Sequence, residues 1–149
     1  MVAAVRMEVA LFIFGSLAVS AWGAESIAGV VKTVQGRAVV RRGAEVIPLK
    51  EGTHLLVNDI LNTSADGALG VIFQDGTRIS IGAGAELTID RFVYEPADGK
   101  FALALRLARG VLTYISGKIA QFSPESVSVQ TPVGMVGLRG THFAVSIEN

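Results

Sequence analysis

The chain has 149 residues, half of them hydrophobic, with 13 basic and 13 acidic side chains giving a formal net charge of zero, and no cysteine. Balanced charge, with no segment gathering Lys or Arg on one face, excludes the electrostatic footprint of a nucleic-acid binder. The missing cysteine excludes disulfides, thiolate metal sites, thiol nucleophiles and a lipidated N-terminal cysteine.

The first feature along the chain is an uncharged, mostly apolar run from Val9 to Ala24 behind Arg6, closing in Ser20-Ala21-Trp22-Gly23-Ala24. It reads as a secretory signal peptide over residues 1–23 with cleavage before Ala24; a cut after Ala21 is the alternative. Sixteen residues are short for a spanning helix, which needs about 20 apolar residues. Export with cleavage is therefore the expectation, and a retained inner-membrane anchor facing the periplasm is the alternative. Only eight residues precede the run, so no cytoplasmic domain is expected. Residues 24–149 suit a single domain, of a size that buries roughly two-thirds of the unfolded chain's surface.

From Ile27 onward, short apolar segments alternate with glycine-containing turns, and no long stretch keeps a helical period, which predicts an all-β domain. Val30–Val34, the turn Gln35-Gly36, and Arg37–Arg41 read as strand, turn and strand. Pro48 places Val46–Leu49 at an edge or strand end, because proline donates no ladder bond. Leu69, Val71 and Phe73 share a face before Asp75-Gly76, a turn that tolerates positive φ. Ile79, Ile81, Leu87 and Ile89 continue the alternation across the small-residue turn Gly82–Ala85.

Phe101–Ala108 contains good helix formers, but Phe101, Leu103, Leu105 and Leu107 repeat every second residue, and Asp98-Gly99 and Arg109-Gly110 bracket the run as turns. It is predicted to be a strand. Val111–Ile115, Val127–Gln130 and Thr141–Ile147 complete about ten to twelve short strands; in the last, Phe143, Val145 and Ile147 form the buried face. Ile119–Ser126 reads as a polar-edged loop. Strands this short fit a compact roll or a β-helix-like stack, with a β-sandwich as the alternative.

Three patterns follow one another: Leu49-x-x-Gly52-x-x-Leu55-x-x-x-Asp59-x-Leu61-x-Thr63, then Phe73-x-Asp75-Gly76-Thr77-x-Ile79-x-Ile81, then Thr131-Pro132 with Leu138-Arg139-Gly140-Thr141-x-Phe143. Together they resemble the FecR domain, the periplasmic part of bacterial regulators that relay the state of TonB-dependent iron transporters to extracytoplasmic-function sigma factors. The likeness spans about Gly29 to Ile147. It marks Asp59, Asp75, Gly76, Thr77, Thr131, Pro132, Arg139, Gly140, Thr141 and Phe143 as family positions, structural or interacting. Such regulators also resemble a three-part design with a cytoplasmic anti-sigma segment, a membrane span and a periplasmic region that continues past the arginine motif; neither the first nor that continuation is expected here, so direct anti-sigma activity is not. His142 stands where the family more often has an acidic or apolar residue.

The residues themselves point away from catalysis. Arg139 carries five donors that need partners; the expected role is a clamp on backbone carbonyls or on Asp59 or Asp75, with a surface contact as the alternative. Thr131-Pro132 is expected to end one strand and aim the next. Asp59, Asp66, Asp75 and Asp98 sit where turn and cap residues belong. His54 and His142 lie far apart without companions, so no metal site is expected. No serine has a Gly-x-Ser-x-Gly setting, no glycine-rich phosphate loop is present, and no cofactor is expected. Phe92, Tyr94 and Tyr114 are read mainly as core.

These readings, with the resemblance, predict a non-enzymatic envelope module that senses or modulates a protein partner by offering a strand edge or loop. The resemblance adds a link to signalling or iron-uptake regulation. Glycan or peptidoglycan binding through the aromatic and Asn/Asp-rich turns is the second expectation. The membrane is a partner only if the leader is retained.

Overall fold

The computed structural model describes residues 26–137 and 142–148. Within them, twelve strands form one curled sheet. One half runs in the order β4 (His54–Leu56), β1 (Ile27–Gln35), β6 (Ala68–Phe73), β7 (Arg78–Ile81), β9 (Lys100–Ile115) and β12 (His142–Ile147). The other runs β3 (Glu45–Pro48), β2 (Ala38–Arg42), β5 (Ile60–Thr63), β8 (Glu86–Glu95), β9 again, β10 (Val127–Thr131) and β11 (Gly134–Gly137). All pairs are antiparallel except β9 with β10. The all-β prediction holds, and the roll is the form it takes.

The roll exists because β9 belongs to both halves. Its first part, Lys100 to Arg109, pairs with β8, and its last part, Gly110 to Ile115, pairs with β12, with β7 alongside from Leu112. Arg109-Gly110, expected as a turn, is instead the bend inside this single 16-residue strand. The bend needs glycine on two counts. Gly110 has φ +97, and a Cβ there would lie 2.4 Å from the Cβ of Ala85.

Period-two alternation fills the interior. Leu69, Val71, Phe73, Ile79, Ile81, Leu87, Ile89, Leu103, Leu105, Leu107, Leu112 and Tyr114 are all buried, each large apolar side chain contributing about 1.5–3 kcal/mol. Strand β12 is the exception: Phe143, Val145 and Ile147 do face inward but stay half-buried, because β9 covers them from one side only. Pro48 closes β3 at the sheet edge, as its missing donor requires.

The predicted loop at Ile119–Ser126 is corrected. It contains a short helix, α1 (Lys118–Phe122), followed by a 3-10 turn at Pro124–Ser126, and Ile119 is fully buried. Five residues rarely hold a helix alone. This one is held by tertiary contacts described next, which no local signal encodes. Among the described residues no helix is long and apolar enough to cross a membrane.

Candidate functional site

Asp59 follows β4 and leads into β5. Its carboxylate is 1% exposed and receives a two-point contact from Arg42: Nε donates to Oδ1 at 2.9 Å and Nη2 to Oδ2 at 2.8 Å. Oδ2 also accepts the Leu56 amide at 2.8 Å, and Arg42 Nη2 donates to the His54 carbonyl at 3.0 Å. A carboxylate can leave water here because a planar guanidinium and a backbone N–H replace its hydration. Arg42 stands at the end of β2 in the other half of the roll, so the pair ties the rim of β4 to β2. Sequence reading placed Asp59 as a turn residue and overlooked Arg42. The signal was the Arg41-Arg42 doublet: neighbours on a strand point to opposite faces, and Arg41 goes outward to Glu86 at 2.7 Å.

The Asp75-Gly76-Thr77 turn joins β6 to β7, with Gly76 at positive φ. Asp75 is buried as well. Its Oδ1 accepts the Thr77 amide at 3.0 Å, and its Oδ2 accepts the Thr77 hydroxyl at 2.7 Å and the Ile119 amide at 3.1 Å. The Asp75 carbonyl accepts the Lys118 amide at 3.0 Å. Thus one aspartate closes its own turn and docks the start of α1. Gly117 permits the approach, since a Cβ there would lie 2.3 Å from the Thr77 nitrogen.

Tyr114, on β9 beside this turn, is fully buried and stacks on Phe143 with ring centroids 4.7 Å apart. Burial pushes its hydroxyl up to about 12; Thr77 pulls it down slightly and the Asp75 charge raises it further. Thr77 does not complete a hydrogen bond, and among the described residues the buried Tyr114 hydroxyl has no hydrogen-bond partner.

Thr131 ends β10. Its hydroxyl donates to the Gly134 carbonyl at 2.8 Å and accepts the Val133 amide at 3.3 Å, which fixes the Pro132-Val133 turn into β11. Val129 and Val136 face the core, whereas Val133 is 87% exposed and Met135 71%. Arg139, Gly140 and Thr141 lie outside the described residues. The two carboxylates expected to receive Arg139 are engaged by Arg42 in one case and by Thr77 and Ile119 in the other.

The aromatics divide into two groups. Phe92 stacks on Phe73 at 5.6 Å. Tyr94, Phe101 and Phe122 form a line with centroids 6.3 and 5.7 Å apart, and Phe122 is 63% exposed at its end. Among the described residues no three His, Asp or Glu side chains converge on a point where a metal ion would sit. The buried carboxylates tie chain segments together, and the surface offers an apolar hairpin tip and an aromatic ledge.

No curated protein and no solved structure matches the chain. A family model described as FecR protein matches residues 59–149, more than half of the sequence. The matched span begins at Asp59 and takes in Asp75-Gly76-Thr77, Thr131-Pro132, Arg139-Gly140-Thr141 and Phe143, whereas Leu49, Gly52 and Leu55, which also carried the resemblance, lie before it; the chain belongs to the FecR protein family.

Proposed function

We propose that this protein is a non-enzymatic interaction and sensing module of the bacterial envelope, exported to the periplasm, that meets a protein partner through the β10–β11 hairpin. The observation that carries this reading is the hairpin tip. Val133 and Met135 expose large apolar side chains, while Thr131 fixes the turn into β11, and Val129 and Val136 fasten the same hairpin to the roll. A fixed apolar projection beside a strand edge is the kind of surface that gains free energy when a partner covers it. Family membership supports a signalling context and, more narrowly, regulation of iron uptake.

The test is a photocrosslinking amino acid at Met135 in cells, with Val46 on the opposite rim as the control position. A discrete product from position 135, absent from position 46 and lost in a Met135→Lys background of unchanged stability, is expected. Equal labelling at both positions would overturn the reading. Iron starvation in a deletion strain tests the narrower claim: unchanged expression of iron-uptake genes removes it.

The ledge of Tyr94, Phe101 and Phe122 favours a second reading, glycan or peptidoglycan binding by stacking of sugar faces on the exposed ring. Sedimentation with purified cell wall that Phe122→Ala abolishes would support it, and failure to co-sediment rejects it.

A further inference from the structure

Beyond residues 1–23 the sequence contains a single sulfur atom. Cysteine is absent and the three methionines are Met1, Met7 and Met135, so Met135 is the sole thioether of residues 24–149. The fold sets it on the exposed part of the β10–β11 hairpin. It is 71% exposed and lies across the ladder from Gln130, which is exposed too. Both ends of β11 are glycine, and a Cβ built on Gly134 or Gly137 would meet nothing within 4 Å. Gly137 is the next residue on Met135's own face of the strand. No side chain of β11 therefore shields the sulfur.

A core methionine fills gaps, and oxidising it disrupts packing. Met135 has no such duty. Val129 and Val136 pack the hairpin against the core and Thr131 fixes its turn, so chemistry at the Met135 sulfur changes the surface and leaves the roll intact. The other exposed large apolar side chains, Val46, Val111, Ile115, Phe122 and Val133, offer no thioether.

We propose that Met135 is a reversible oxidation site for hypohalous acids, and that its sulfoxide closes the hairpin to the apolar partner. The closing step rests on the partner contact proposed above; the oxidation site does not. With hypochlorous acid, the sulfur lone pair takes the chlorine and expels hydroxide. Water then adds to the chlorosulfonium, the S–O bond forms, the S–Cl bond breaks, and chloride and two protons leave, one of which neutralises the hydroxide. The sulfur gives up two electrons and the chlorine gains them. The product carries a polar S=O group where the thioether was apolar. In the free chain that oxygen stays solvated, because the side chain is exposed. Covering it with an apolar surface strips its water and returns no hydrogen bond, so the cost falls on the bound state alone. Methionine sulfoxide reductases regenerate the thioether, which makes the change reversible.

The site is tested on the purified, folded chain with limiting hypochlorous acid, in competition with a synthetic peptide of residues 119–139. That stretch is also the tryptic peptide carrying Met135, and it holds no other methionine. Folded chain and peptide should form sulfoxide at rates within about twofold, since susceptibility follows exposure, and the oxidised chain should unfold at the same urea concentration as the untreated one. Oxidation about tenfold slower than in the peptide, or a loss of stability on oxidation, would overturn the site. The closing step is tested with a photocrosslinking amino acid at Val133, which leaves the thioether in place. The labelled chain is oxidised, freed of oxidant and added to untreated envelopes of a deletion strain. Oxidation should lower the crosslinked product by about tenfold, sulfoxide reductase should restore it, and Met135→Gln should lower it without oxidant. Met135→Leu should hold its product through the same treatment. Equal product before and after oxidation, or an equal fall in Met135→Leu, would overturn the closing step and leave the partner contact standing. No product from the untreated chain would remove the partner contact and the closing step together, while the oxidation site is still judged by its rate.

Discussion

Arg42 and Asp59 meet in a two-point contact, 2.9 and 2.8 Å, that joins the end of β2 to the loop after β4 and so fastens one half of the roll to the other. The contact also occupies the outward backbone groups of His54 and Leu56. The first prediction concerns its removal. Asp59→Ala leaves Arg42 without its carboxylate and the Leu56 amide without an acceptor, and should lower stability by about 3–5 kcal/mol. Urea unfolding of the two chains measures the difference; a loss under about 1 kcal/mol would show that the contact is a surface pair of ordinary worth.

Asp75 is predicted to hold α1 in place. In Asp75→Asn one of the two oxygens becomes an NH2 that cannot accept, and the Ile119 amide, or with the side chain turned over the Thr77 amide, loses its partner, which costs about 1–3 kcal/mol. Trypsin should then cleave after Lys118 much faster than in the wild type, while the strands resist. Unchanged protection of Lys118 would mean that Ile119 packing alone docks the helix.

The Tyr114 hydroxyl gives a pH signature. Its value rises from 10.0 unfolded to about 12 folded, so between these values the folded chain holds a proton that the unfolded chain releases. Stability is therefore intact below pH 10 and falls as the pH climbs toward 12, by roughly 2–3 kcal/mol in all. Tyr114→Phe removes the titrating group together with a buried hydroxyl that has no hydrogen-bond partner among the described residues. The variant should match or exceed wild-type stability at neutral pH and should lose less above pH 10, as followed by thermal unfolding. Parallel alkaline losses in both proteins would assign the effect elsewhere.

Gly110 is predicted to be intolerant of any side chain. Gly110→Ala meets both the φ of +97 and the Ala85 methyl group, which together should cost about 2–5 kcal/mol. Adding Ala85→Gly should recover the steric part and leave the backbone part, a partial rescue visible in the melting temperature.

The strand pattern was legible because alternation follows directly from which face is buried, as Leu69, Val71 and Phe73 illustrate. Turns with a local chemistry, such as Asp75-Gly76, were legible for the same reason. Features set by distant contacts were not. Arg109-Gly110 looks like a turn in isolation, and only the approach of Ala85 makes it a bend within β9. Residues 118–122 lack a helix signature, and distant contacts secure them, among them Asp75, 44 positions from Ile119, and the stacking of Phe122 on Phe101. At the candidate site, Asp59 and Asp75 were visible as family positions, whereas Arg42 was not, since a two-residue basic doublet does not say which cation will find a buried carboxylate.

Because β9 closes both halves, neither half is a complete sheet until residues 100–115 are in place. A chain emerging from N-terminus to C-terminus therefore holds β1 to β8 without their shared closing strand, and most of its apolar alternation waits on one late segment. Loss of β9 pairing would therefore loosen both halves at once, since the same strand lies against β8 in one and β7 and β12 in the other.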